Sequence, residues 1–239
     1  MKIRRLVLLG CAMILSQAVR AQVATAMFDG SMSQLFGSNA TFSADMEIRV
    51  AAPNNQNLSM SGKIVFDSGK NRLERALIDA EAQARHLDAT ANKTITISRP
   101  DTKTIYLVYP GLSAYAAAPL QDPNAAKPAS SFKIETTELG QDMADGHECL
   151  KKKVVVTDDQ GKAHEFTTWN ATDLNKFPVK IEMNEQGRAM TMTFKNISTS
   201  KPDAALFLPP ADYKKYDSPQ ALMQQEMMRR MNTPPANHP

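Results

Sequence analysis

Residues 139–194, LGQDMADGHECLKKKVVVTDDQGKAHEFTTWNATDLNKFPVKIEMNEQGRAMTMTF, hold four β-like runs separated by turn signals. The turns are Asp145-Gly146, residues 158–161, residues 175–178 and Glu185-Gln186-Gly187; short runs between such signals predict an antiparallel meander. The stretch also carries the only tryptophan, Trp169, and Cys149, one of two cysteines.

Upstream the same pattern repeats. In TFSADMEIRV, Phe42, Ala44, Met46, Ile48 and Val50 alternate with mostly polar residues, which predicts a strand buried on one face. LSMSGKIVF follows with Leu58, Met60, Ile64 and Phe66, and a turn at residues 67–70 leads into a third strand over 71–76. An Ala-rich segment, residues 76–91, places Leu77, Ala80, Ala84 and Leu87 along one helical face. Strands resume over 93–99, 103–109 and 112–119. Residues 120–131, LQDPNAAKPASS, read as a flexible connection between two halves of one sheet. Two flanking helices are expected to pack on the sheet. One covers residues 23–36, with Met27, Phe28, Met32, Leu35 and Phe36 at helical intervals; the other begins with Ser218 as N-cap and Pro219 at the first position, and lines up Met223, Met227 and Met231. The fold class is therefore mainly β with α, an α+β chain.

The N-terminus is expected to be an export signal over residues 1–21. Lys2, Arg4 and Arg5 precede an almost wholly apolar run, and Ala18-Val19-Arg20-Ala21 favours cleavage before Gln22. The alternative, a lipid anchor on Cys11, leaves only residues 6–10 between the basic cluster and Cys11, short for an apolar core. Taking the four basic residues of this segment from 28 leaves 24 against 25 acidic residues, so no net positive charge recommends nucleic acid. No later apolar run reaches the about 18–20 residues of a membrane span. With Cys149 alone after cleavage, no internal disulfide forms, and the fold rests on its core.

His147, Glu148 and Cys149 with His164 on the next strand have metal-ligand chemistry, and Cys149 beside Lys151 or His164 has that of a nucleophile. Adjacent strand residues point to opposite faces, no third orienting group is visible, and the bland reading is a buried thiol with surface histidines. No catalytic residue, metal or cofactor is assigned. The three lysines 151–153 read as a solvated edge.

The strings ISRPDTKTIYLVYPGLSAYAAAP, ETTELGQDMADGHECLKKKVVV, TTWNATDLNKFPVKIEM and ALFLPPADYKKY resemble an uncharacterised family of exported bacterial proteins related to the outer-membrane lipoprotein-sorting (LolA-like) carriers. The resemblance spans residues 42–216. It implies a curved antiparallel sheet wrapped as a half-open barrel around helices, occupying residues 22–216. The amphipathic helix over 217–231, like the connection over 120–131, reads from the residues as a local addition to that pattern, and residues 232–239 read as a disordered tail. The resemblance also implies a periplasmic, non-enzymatic protein whose concave face receives an apolar or acyl-chain ligand, with an envelope protein partner as the alternative. Candidate lining residues are Met46, Ile48, Ile64, Phe66, Trp169, Ile181, Met183, Met190 and Met192. For these, filled core and pocket lining both stay open; methionine is suited to either.

Overall fold

The computed structural model describes residues 30–37, 39–51, 58–76, 93–122, 124–125, 127–185 and 188–232. The expected export segment, the helix over 76–91 apart from Ala76, residues 23–29 of the first expected helix and the tail beyond Asn232 lie outside the described residues.

Twelve strands are described: β1 (Thr41–Val50), β2 (Leu58–Asp67), β3 (Lys70–Ala76), β4 (Lys93–Arg99), β5 (Thr104–Tyr109), β6 (Ala114–Pro119), β7 (Lys133–Ala144), β8 (His147–Thr157), β9 (Ala163–Ala171), β10 (Pro178–Glu185), β11 (Arg188–Ser198) and β12 (Lys214–Tyr216). They form one curved, open sheet in the order β12-β6-β5-β4-β3-β2-β1-β11-β10-β9-β8-β7. Every pairing is antiparallel except β12 with β6. The turn chemistry explains the hairpins. Ser68 and Gly69 between β2 and β3, and Asp145 and Gly146 between β7 and β8, all have positive φ, the geometry of a two-residue turn that matches strand twist.

Among the described residues the helices are α1 (Gly30–Ser33), continued by a 3-10 turn at Gln34–Phe36, and α2 (Pro219–Asn232), besides short 3-10 turns. Ser218 caps α2 as expected, its hydroxyl accepting from the Ala221 N–H at 3.1 Å. Leu222 of α2 is buried with Ala114 and Ala116 of β6.

Chain connectivity makes the curvature necessary. In the sheet, β6 and β9 are eight strand steps apart, about 38 Å at about 4.8 Å per step. Yet Asn124, five residues beyond Pro119, donates from Nδ2 to Asp158 Oδ2 in the β8–β9 turn at 3.0 Å. Five residues span at most about 18 Å, so the sheet must curl to bring these two regions together. The connection 120–131 is accordingly anchored rather than free: Asp122 accepts from the Gly30 N–H at 2.9 Å and from the Asn124 N–H at 2.8 Å, and Lys127 pairs with Asp159. Its low apolar content hides this, because the anchors are carboxylates and an amide rather than buried hydrocarbon.

The two faces of the sheet are covered by different parts of the chain. The face carrying Phe42, Ala44, Met46 and Ile48, here the inner face, packs with Met32 and Phe36 of the N-terminal segment. On the outer face Ile95, Ile97 and Val108 pack with Phe207. Arg72 and Arg99 hold that outer segment, donating to the carbonyls of Leu206 at 3.1 Å and Phe207 at 3.3 Å.

Candidate functional site: the inner face of the sheet

Strand register assigns each candidate side chain to a face. Ile48 opposes Met192, which opposes Ile181; Val50 opposes Met190, which opposes Met183. On the other side of β1, Phe42 opposes Phe66, Ala44 opposes Ile64 and Ile48 opposes Met60. Because side chains alternate along strands, these rows lie on one surface. The structure thus brings Met46, Ile48, Ile64, Phe66, Ile181, Met183, Met190 and Met192 onto the inner face. All are buried except Met183, which is partly buried, as are its neighbours Val50 and Met60.

Trp169 does not join them. Ile181 opposes Thr168, so Thr168 shares the inner face and Trp169 points outward, beside Lys180 of β10. There its ring lies between the Lys151 and Lys180 ammonium groups, 4.6 and 4.0 Å from the centroid, and its indole N–H donates to Asp142 at 2.9 Å. Trp169 is only 3 % exposed because two lysine stems cover it, which its position in a strand does not announce. The indole hydrogen bond, followed by the Met143 N–H, holds the Asp142 carboxyl below the ordinary aspartate range. The lysine cluster is likewise not an edge. β8 is covered by β7, Lys151 stacks on Trp169, and Lys153 pairs with Glu165 at 2.7 Å.

The inner face has two ends of different character. At one, Phe36 sits among Phe42, Phe66, Phe177 and Phe194, with ring centroids 4.7, 6.1, 5.5 and 5.7 Å away. Offset and edge-to-face aromatic pairs of this kind add to simple burial. At the other end, Met60, Val50, Met190 and Met183 pass from buried to partly exposed, so the apolar rows reach the surface there.

Toward β3 and β4 the same face turns polar. Gly62 opposes Arg75, which opposes Thr94; Leu73 opposes Thr96 and Asn71 opposes Ser98. Thr96 and Ser98 are buried, and Arg75 is 8 % exposed with no hydrogen-bond partner for its Nε. Burial draws the Arg75 guanidinium below its ordinary pKa and pushes the Tyr109 phenol up, each influencing the other. Arg75 was not a sequence candidate. The second of two arginines in KNRLERA gives no sign of which face it takes until β3 is registered on β2.

The metal and nucleophile candidates separate. His164 opposes Val156, nine residues along β8 from His147, about 30 Å at strand rise. His147 instead pairs through Nδ1 with Asp173 at 2.8 Å. Cys149 is 2 % exposed, its thiol pushed up by burial, which leaves little thiolate. Among the described residues no three of His, Cys, Asp and Glu converge as a metal site, and no helix is long and apolar enough to cross a membrane.

Comparison with known proteins gives the following. Residues 159–213 match the model of a domain of unknown function, DUF4412. None of the curated proteins matches the chain significantly. Among solved structures the chain is similar to a LolA superfamily protein from Nitrosomonas europaea, at 10 % identity over 75 % of this chain and 94 % of that one, TM-score 0.41. It is also similar to the Mycobacterium tuberculosis lipoprotein LppX, at 10 % identity over 77 % and 98 %, TM-score 0.42. LprF from Mycobacterium bovis is a further match, at 13 % identity over 77 % and 95 %, TM-score 0.39. The chain thus resembles LolA-like structures, in keeping with the resemblance read from its sequence.

Proposed function

We propose that this chain is an exported, non-enzymatic binding protein of the periplasm that holds the apolar or acyl chain of an amphiphile against the inner face of its sheet, in lipid or lipoprotein trafficking. The carrying observation is the apolar mouth at Met60, Val50, Met190 and Met183, continuous with the buried row Ile48, Met192 and Ile181. Flexible thioethers repack around chains of different length, and burial of apolar area supplies roughly 25 cal/mol per Å² before ordering costs. Export is supported by the basic and apolar pattern of residues 1–21.

The test is native mass spectrometry of the protein purified without detergent from its own envelope, with titration of the neutral apolar dye Nile red. Released lipid, saturable dye binding, and roughly tenfold weaker dye binding by Met183→Glu support the carrier. Met183 is partly exposed, so this variant keeps its fold. A bare polypeptide that binds no dye refutes the proposal.

A second reading, an envelope protein partner, is favoured by β7. This twelve-residue edge strand is exposed at every residue but Ala144, including Ile134, Leu139 and Met143. An open edge of that length is a template for strand addition. Crosslinking from Leu139 in the envelope, with no lipid recovered, would select it.

A further inference from the structure

The inner face is not uniformly apolar, and Arg75 stands where the apolar rows give way to hydroxyls. Arg75 lies in a row with Met46 and Gly62 on one side and Thr94 on the other. A Cβ on Gly62 would come 3.3 Å from Arg75 Cγ, so the stem of Arg75 crosses β2 where a side chain is missing. The residue is more than nine-tenths buried, its Nε is unpartnered, and among the described residues no carboxylate forms an ion pair with it. Glu74 is next in sequence but points outward, where it pairs with Arg72 and Lys93.

A cation buried without a counter-charge costs several kcal/mol, and none of the described residues supplies one to Arg75; a ligand oxyanion would complete the pair. Resting on the carrier reading, we propose that Arg75 binds the anionic head group, carboxylate or phosphate, of the amphiphile whose apolar chain runs along the Met and Ile rows. Five guanidinium donors in a planar fork suit either oxyanion. The hydroxyls of Thr94, Thr96 and Ser98 stand on the same face to accept or donate beside it. Tyr109, also coupled to Arg75, carries a phenol kept neutral by burial, hence a further donor. The ligand class is therefore an anionic amphiphile such as a fatty acid or a phosphate-headed lipid, rather than a neutral one.

The experiment is displacement of Nile red from the mature chain by dodecanoic acid and by its methyl ester, at a pH of about 8 where the acid is ionised. Nile red has no charge for Arg75 to read. In the wild type the acid is expected to displace the dye at roughly tenfold lower concentration than the ester, the scale of a charged hydrogen bond. Arg75→Met removes that preference while the ester's affinity stays, and its melting temperature does not fall, since a buried guanidinium that pairs with no carboxylate among the described residues has been lost. Arg75→Lys, which retains the charge on a fold of the same volume, keeps part of the preference. Equal displacement by acid and ester in the wild type, or a preference that survives Arg75→Met, overturns the head-group site and leaves the carrier standing. If neither compound displaces the dye, or no dye binds, both fail. Inorganic phosphate alone protecting the protein against heat as well as dodecanoate does would assign a free-anion site and overturn the head-group reading.

Discussion

Phe36→Ala tests whether the N-terminal segment is part of the core. Phe36 is 2 % exposed and meets four other phenylalanine rings. Truncating a buried phenylalanine costs roughly 3–5 kcal/mol in lost transfer energy and cavity. The upper half of that range applies here, because the surrounding rings belong to β1, β2 and β11 and to the residue preceding β10, which the sheet ladder prevents from collapsing inward. For a domain of this size each kcal/mol lowers the melting temperature by about 2–4 °C, so a fall of roughly 8–20 °C is expected. The assay is thermal unfolding followed by Trp169 fluorescence and far-UV circular dichroism, whose coincidence checks two-state behaviour. Met228→Ala serves as control; Met228 is 53 % exposed, and its loss changes stability by no more than about 0.5 kcal/mol. A fall of less than about 2 °C for Phe36→Ala would show that the segment does not sit on the inner face, and the description of that end as filled core would be wrong.

Gly62→Ala is expected to destabilise by more than about 2 kcal/mol in urea titration, because the new Cβ meets the Glu74 carbonyl, which is backbone and cannot yield; a neutral variant would disprove that close approach. Asp158 is held below the ordinary aspartate range by the Asn124 amide and by the backbone N–H groups of Lys162 and Gln160. Its folded value is depressed, so its contribution is fully present above the unfolded value of about 4 and is lost as pH falls through the folded value. Melting curves between about pH 6 and 3 should therefore fall less steeply for Asp158→Asn than for the wild type, and parallel curves would contradict the anchor. Cys149 is expected to react with iodoacetamide only as fast as the protein unfolds; rapid alkylation of the native protein would contradict its burial and raised pKa.

The sheet was legible because its signals are local. Alternation in residues 41–50 predicts the burial of Phe42, Ala44, Met46 and Ile48, and Asp145-Gly146 and Ser68-Gly69 supply the turns. Order within the sheet was not legible, since it depends on β1 pairing with β11 across 140 residues of chain and on small anchors such as Asn124 to Asp158. The face of each candidate followed register rather than composition. Met46, Ile48, Ile64, Phe66, Ile181, Met183, Met190 and Met192 share a surface because their strands alternate in phase. Trp169 falls on the other one, and its aromatic character gave no warning. Arg75 was invisible for the converse reason: an arginine in a charged strand is ordinarily on the wet face, and only pairing with Gly62 turns it inward.

The two ends of the inner face are suited to different occupants for a thermodynamic reason. Phe36 is tethered to β1 by four residues, so it fills its aromatic niche without the translational cost that a free ligand bears, equivalent to a local concentration in the millimolar range or above. A diffusing acyl chain competes poorly for that niche. The methionine end has no such disadvantage. Val50, Met60 and Met183 there are partly exposed, with Met190 buried beside them; they belong to strands rather than to a plug, and the methionine side chains lose little by repacking around a guest. A chain entering there and passing Ile48 along β1 reaches Met46, in the row that continues over Gly62 to Arg75. Along β1 the filled end at Phe42, the row of Met46, Gly62 and Arg75, and the adaptable mouth at Val50 thus follow one another on one face, and the order of the rows, more than any single residue, is what the carrier proposal rests on.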